Sequence, residues 1–240
     1  MKNKKILTLF IVNALFLVAT IVTDILFITK GNAYVFKTLA SGVFVLCSLV
    51  NMILMFTFKN AVNKPFIILM VIGQIFAFVG DILLIDANTF TLGALSFAVG
   101  HIFYFLAYCF LQKFKWIDLA FIGGAIALSL IIIFASNINP GSNLPLIIGY
   151  ALVISCMLGK SATLFLSNIK IGAILFTGSL MFYISDMFLM FANFGTLGRI
   201  GGILCLSFYY PAEFILAMSI SAVCYLKKEQ IEKKEQNKND

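Results

Sequence analysis

Charge is scarce in this sequence, and histidine is almost missing. Only 11% of the 240 residues are charged, 62% are hydrophobic, and the mean hydropathy is +1.05. An ordinary soluble domain carries about 25% charged residues, so the composition excludes a water-soluble globule and indicates an integral membrane protein. The single histidine argues against a zinc site, which draws on closely spaced sets of His and Cys, and no metal is expected. There is no G-x-S-x-G elbow, phosphate loop or dinucleotide fingerprint, so serine hydrolases of that type and nucleotide enzymes are disfavoured. Cys47, Cys109, Cys156, Cys205 and Cys224 all lie in apolar runs without C-x-x-C spacing. They read as small buried hydrophobes, not as disulfides or metal ligands.

What the chain has in abundance is long apolar runs. A helix needs about 20 mainly apolar residues to cross the hydrocarbon core, and eight such runs are expected, near 6–28, 36–58, 65–85, 90–111, 116–135, 144–166, 171–193 and 200–226. The first is too long for a signal-peptide core and no small-residue cleavage pattern follows it, so it counts as a span. The fold class is therefore all-α and polytopic, one eight-helix transmembrane domain over 1–226 with a charged cytoplasmic tail over 227–240.

The net charge of +7 does not form a patch for nucleic acid, and none is expected as a partner. The lysines punctuate helix ends instead. Lys2, Lys4, Lys5, Lys59, Lys64, Lys113, Lys115, Lys160, Lys170 and the tail lysines fall on the side of the N-terminus, while Lys30, Lys37 and Arg199 fall on the other. By the positive-inside rule both termini are expected in the cytoplasm. Membrane lipids are the expected surroundings, and the Lys-, Asn- and Ile-rich usage with no targeting element points to a bacterial cell membrane.

An offset of 105 residues aligns Asn63 with Asn168, Gly73 with Gly178, Asp81 with Asp186, Leu84 with Leu189, Gly93 with Gly198 and Tyr104 with Tyr209. Chance matches are common in so restricted an alphabet. The paired aspartates nevertheless raise the expectation of a four-plus-four parallel repeat.

The acids that stand out within the spans are Asp24, Asp81, Asp186 and Glu213. An acid at the middle of a lipid-embedded helix costs about 2.5–3.5 kcal/mol on insertion scales, so such groups turn toward a protein interior or a wet cavity. Gln74 stands seven residues before Asp81, Ser179 and Tyr183 stand seven and three before Asp186, and Tyr210 stands three before Glu213. His101, Tyr104 and Tyr108 share a face on the fourth span. Four polar stripes are thus expected to meet in one cavity. The plainer readings are that a lone intramembrane histidine glues helices together, that tyrosines anchor helix ends at the interface, that Tyr210 and Glu213 form a structural pair, and that Asp24 and Asp86 see water. Lys37 is the lysine placed to pair with one of the two aspartates.

The segment GDILLIDANTFTLGALSFAVGHIFYFLAY (80–108) resembles the first signature of the YhhN-like membrane proteins, the lysoplasmalogenase family. GAILFTGSLMFYISDMFLMFANF (172–194) resembles the second, and FKTLAS (36–41) and YYPAEFILAMS (209–219) are similar to two shorter family stretches. The likeness covers about residues 30 to 225. Two positions depart from the pattern, Glu213 standing where Gln is expected and Lys160 where Arg is frequent.

The resemblance implies hydrolysis of the vinyl-ether bond of a lysoplasmalogen, releasing a fatty aldehyde and glycerophospho-ethanolamine or -choline. An enol ether is cleaved by protonation of its β-carbon, capture of the oxocarbenium ion by water, and collapse of the hemiacetal. That chemistry calls for an acid, an anion and a base, roles that two carboxylates share in glycosidases. Asp81 and Asp186 are the expected catalytic pair, the deeper position of Asp186 favouring it as the acid and leaving Asp81 as anion and base. Lys37, Gln74, His101, Tyr104, Tyr183, Tyr210 and Glu213 are the expected substrate-binding residues, with Lys37 meeting the phosphate. No cofactor is required. Two rival readings use the same acids: a proton-coupled transporter, and a lipid-binding protein whose polar stripes lock helices together.

Overall fold

The structure, a computed structural model, describes residues 2–30 and 32–239, with the side chains of 2, 3, 33, 238 and 239 outside the description. Gly31 and the final residue of the expected tail lie outside it, as does the side chain of Lys2 from the topology set. Eight helices follow one another: α1 (Lys2–Lys30), α2 (Thr38–Thr57), α3 (Lys64–Leu83), α4 (Phe90–Leu111), α5 (Trp116–Ala135), α6 (Leu144–Ser167), α7 (Ile169–Phe194) and α8 (Gly198–Asn239). No strand occurs among the described residues. Among the described residues, eight helices are long and apolar enough to cross a membrane.

Local sequence explains the boundaries. Asn63 caps α3 by accepting from Phe66 N, with Pro65 in the first turn, where its missing N–H is no loss. Asn168 caps α7 in the same way, accepting from Ile171 N. A π turn over Ala33–Lys37 leads into α2. On α8 the helix runs through Pro211 without a break. It also continues beyond the expected span end at 226, because the tail lacks glycine and proline, is rich in the good helix formers Lys, Glu and Gln, and carries an i,i+4 pair, Glu229 with Lys233 at 2.7 Å. The expected tail is therefore an extension of α8.

Both ends of the chain sit at one end of the bundle, here termed the terminal end. Lys5 donates to Phe58 O (3.0 Å), Lys228 to Asn60 Oδ1 (2.6 Å), and Asn168 to Gln230 Oε1 (3.2 Å). At the opposite, distal end Asn139 N donates to Phe194 O (2.7 Å), tying the α5–α6 connection to the end of α7. Large apolar side chains such as Phe10, Leu15, Ile131 and Phe134 face outward, whereas the polar groups within the spans are largely inside. That inversion suits a lipid solvent.

Packing follows the repeat expected from the sequence. α1 lies on α2 as α5 lies on α6, α2 on α3 as α6 on α7, and α3 on α4 as α7 on α8. Across the halves, α2 reaches α8 as α6 reaches α4, and α1 additionally packs along α8. Hydrogen bonds repeat too. Asn63 and Asn168 both cap a helix and both reach out with Nδ2, to Phe110 O and to Gln230 Oε1. Gln74 on α3 donates to Glu213 on α8, and their equivalents in the other half, Ser179 on α7 and Tyr108 on α4, are joined at 3.0 Å.

Candidate active site

The polar groups of the distal half gather around Asp81, Asp186 and Glu213. Asp81 lies near the end of α3, two residues before its last residue, Leu83, and is 3% exposed. Its Oδ2 accepts from Ser41 (2.6 Å) and Tyr209 (2.7 Å), and its Oδ1 is 3.4 Å from Lys37 Nζ. Lys37 closes the π turn that starts α2, so Ser41, one turn later, points the same way. The pairing expected of Lys37 is present. One ammonium and two hydroxyl donors are partners that favour the charged form of a carboxyl group.

Asp186 lies further from its helix end than Asp81 does, yet its side chain is the more exposed, 10% against 4%. Depth along an axis and burial differ here because Asp186 lines an open pocket. Its Oδ2 accepts from Tyr150 on α6 (2.6 Å), and the Tyr150 oxygen is 2.8 Å from His101 Nε2 on α4. The Tyr150 hydroxyl thus joins the other two groups in a chain, His101–Tyr150–Asp186, with His101 Nε2 itself 3.6 Å from Asp186 Oδ2. His101 Nδ1 is buried without a partner.

Glu213 is fully buried on α8. Its Oε2 accepts from Gln74 (2.9 Å) and Tyr104 (3.1 Å), while its Oε1 and Gln74 Oε1 have no partner. The Tyr104 ring reaches this position because position 73 is glycine: a Cβ there would stand 2.4 Å from the ring.

Aromatic rings separate the two aspartates. Phe182 packs on His101 (centroids 4.5 Å apart) and on Tyr209 (5.3 Å), and Phe97 packs on Tyr209 (5.9 Å). Asp186 and Tyr150 line a narrow pocket, about 630 Å³ counting the space open to the exterior and about 70 Å³ of interior cavity, otherwise walled by apolar side chains such as Phe97, Ile147, Ala151 and Met190. Phe90 and Phe194, edge to face at 5.8 Å, stand at its distal rim. Asp81 is absent from that wall.

The expected stripes thus meet only in part. Gln74 and Tyr104 serve Glu213 rather than an aspartate, and Tyr108 bonds Ser179. Tyr183 turns away: its hydroxyl bonds Ser129 on α5 at 2.6 Å, because three residues at 3.6 per turn leave it about 60° from Asp186. Tyr210 is buried, but its hydroxyl finds no hydrogen bond. Asp24 is only partly open to the outside, with Oδ1 buried and unpartnered.

Three polar contributors went unread among the site residues. Ser41 and Tyr209 lay within the quoted stretches FKTLAS and YYPAEFILAMS, and the i+4 spacing of Ser41 from Lys37 was the available signal. Tyr150 carried no signal beyond being a tyrosine deep in an apolar run. A further buried acid, Asp118, sits in the first turn of α5 and pairs with Lys160 (2.7 Å), with Thr163 also donating to it. Lys160 is fully buried, so it is no free topology charge at the membrane surface.

No grouping of three or more His, Cys, Asp or Glu able to hold a metal ion occurs among the described residues. No curated protein and no solved structure matched the sequence. A family model did: the YhhN family over residues 32–220, a stretch that holds every side chain of the site just described. With most of its length covered by that match, the chain belongs to the YhhN family.

Proposed function

We propose that this protein is a membrane hydrolase that cleaves the vinyl-ether bond of lysoplasmalogen. The observation that carries the reading is the pocket at Asp186, an apolar slot whose polar wall is a carboxyl group backed by Tyr150 and His101. An alkenyl chain suits such a slot, and an enol ether needs a proton donor at the carbon next to it.

In this reading Asp186 protonates the β-carbon of the alkenyl ether and becomes a carboxylate. Water adds to the oxocarbenium carbon and gives up a proton to Asp186 or its Tyr150–His101 chain. The hemiacetal then collapses to a fatty aldehyde and the glycerophospho alcohol. One water is consumed and the acid is regenerated. Asp81, held by Lys37, Ser41 and Tyr209, supplies a fixed negative charge across the aromatic wall, favouring the cationic intermediate. Glu213, Gln74 and Tyr104 form a separate buried cluster that joins α3, α4 and α8 behind the pocket.

Residues 1–226 would act as one transmembrane unit, with the terminal end and the 227–240 extension in the cytoplasm of a bacterial cell, as the lysine bias favours. The test is aldehyde release from purified protein given a lysoplasmalogen, with the saturated alkyl-ether analogue and Asp186→Asn as controls. Aldehyde from the vinyl ether alone, lost in the variant, is expected. Proton-driven substrate flux in liposomes with no aldehyde would replace this reading with a carrier.

A further inference from the structure

The Glu213 cluster between α3, α4 and α8 is short of hydrogen-bond donors. The Nε2 group of Gln74 donates to Glu213 O (3.2 Å) and Oε2 (2.9 Å), and the Tyr104 hydroxyl donates to the same Oε2 (3.1 Å). Those donors are then spent. Glu213 Oε1 and Gln74 Oε1 are left over, both on fully buried side chains and both without a partner. Each free oxygen shares its carbon with an atom of the 2.9 Å contact, which brings the two into one neighbourhood. Neither can donate to the other while the carboxyl group is ionised, and a buried acceptor with no donor is unfavourable.

The charge is matched no better. No ion pair among the described residues includes Glu213. The titratable groups within its electrostatic reach are Asp81 on α3, Tyr104 and Tyr108 on α4, Tyr150 on α6, Asp186 on α7 and Tyr209 on α8. None of these is a cation. Lys37 on α2 stands against Asp81, Asp24 on α1 is another acid, and His101 on α4 has Nε2 on Tyr150 and Nδ1 unpartnered. A buried carboxylate with no cation against it is among the most unfavourable groups a protein can hold.

One hydrogen ion removes both deficits. We propose that Glu213 is a proton-binding site, occupied at neutral pH, whose Oε1–H donates to Gln74 Oε1. Because Gln74 Nε2 already donates to Oε2, the two side chains then form a cyclic acid–amide pair, with Tyr104 adding its own bond. The pair is neutral and fastens α3 of the first half to α8 of the second, independently of any chemistry at Asp186. A water molecule bridging the same oxygens would leave the charge in place, and a sodium ion would find only these two oxygens free.

The test uses the full-length protein in a neutral detergent. Infrared difference spectra at neutral pH, wild type minus Glu213→Gln, are expected to show the carbonyl stretch of a protonated carboxyl group, shifted in deuterium oxide, and no carboxylate bands. Tyr104→Phe takes a hydrogen bond from Oε2 and should shift that stretch without removing it, a readout that survives if Glu213→Gln fails to fold. Melting temperatures supply the sign. An unfolded Glu loses its proton above about pH 4.3, whereas the folded site keeps it, so the wild type takes up a proton on folding and loses stability as the pH rises. The Glu213→Gln protein has no such proton to gain. Its melting temperature should exceed the wild-type value at neutral pH, by a margin that widens by about 4 °C per pH unit from about pH 5 to 7. Carboxylate bands in the difference spectrum, a margin that stays constant with pH, or a wild-type melting temperature that responds to sodium and ceases to in Glu213→Gln would overturn the proposal.

Discussion

Lys37 stands 3.4 Å from Asp81, with Ser41 and Tyr209 holding the other carboxylate oxygen. The two partners are not equivalent. Lys37 is 11% exposed on a flexible stem near a helix end, so a lysine deprived of its partner can swing toward the interface. Asp81 has no such escape. Lys37→Met therefore strands a buried anion and is expected to destabilise the protein by about 3–5 kcal/mol. Asp81→Asn, which can still accept from Ser41 and Tyr209, should destabilise less yet lower aldehyde release more. Thermal melts in detergent and single-turnover assays separate the two, and equal stability losses would disprove the asymmetry.

The Tyr150 hydroxyl touches both His101 and Asp186. Tyr150→Phe keeps the ring and removes the link. Turnover is expected to fall by about 10²-fold, the lower range for losing general acid–base assistance, with little change in KM. A folded Tyr150→Phe protein with the original turnover would show that Asp186 works without this chain.

The pocket wall offers a test of what enters it. Ala151 is almost fully buried and lines the slot beside Tyr150. Ala151→Leu places a larger side chain in unfilled space, so KM should rise for long alkenyl chains and stay unchanged for short ones. A uniform effect across chain lengths would mean that the chain lies elsewhere.

The eight spans and the paired aspartates were legible in the sequence because lipid leaves such strong marks. Apolar length sets each span, and a buried acid is too unfavourable to pass unnoticed. The partners of those acids were less legible. Gln74 lies seven residues before Asp81, yet it reaches across to α8, because a side chain on the right face still chooses its partner by helix packing. Tyr183 fell to the same ambiguity at i−3. Asp118 escaped notice because a first-turn acid reads as an exposed helix-end charge, and only the fold brings Lys160 against it.

That buried pair provides the control for all the others. Asp118 and Lys160 are fully buried and lie by the α4–α5 connection, where Lys160 Nζ also reaches Lys113 O at 3.3 Å. They are thus at the terminal end, away from Asp186. Lys160→Met leaves the Asp118 carboxylate with Thr163 and backbone donors but no cation, a change expected to destabilise by about 3–5 kcal/mol. Adding Asp118→Leu removes the stranded charge and should restore much of the loss. Turnover per folded molecule is expected to stay at the wild-type level in both. A large fall in turnover with little loss of stability would put this pair, rather than Asp186, at the centre of the chemistry.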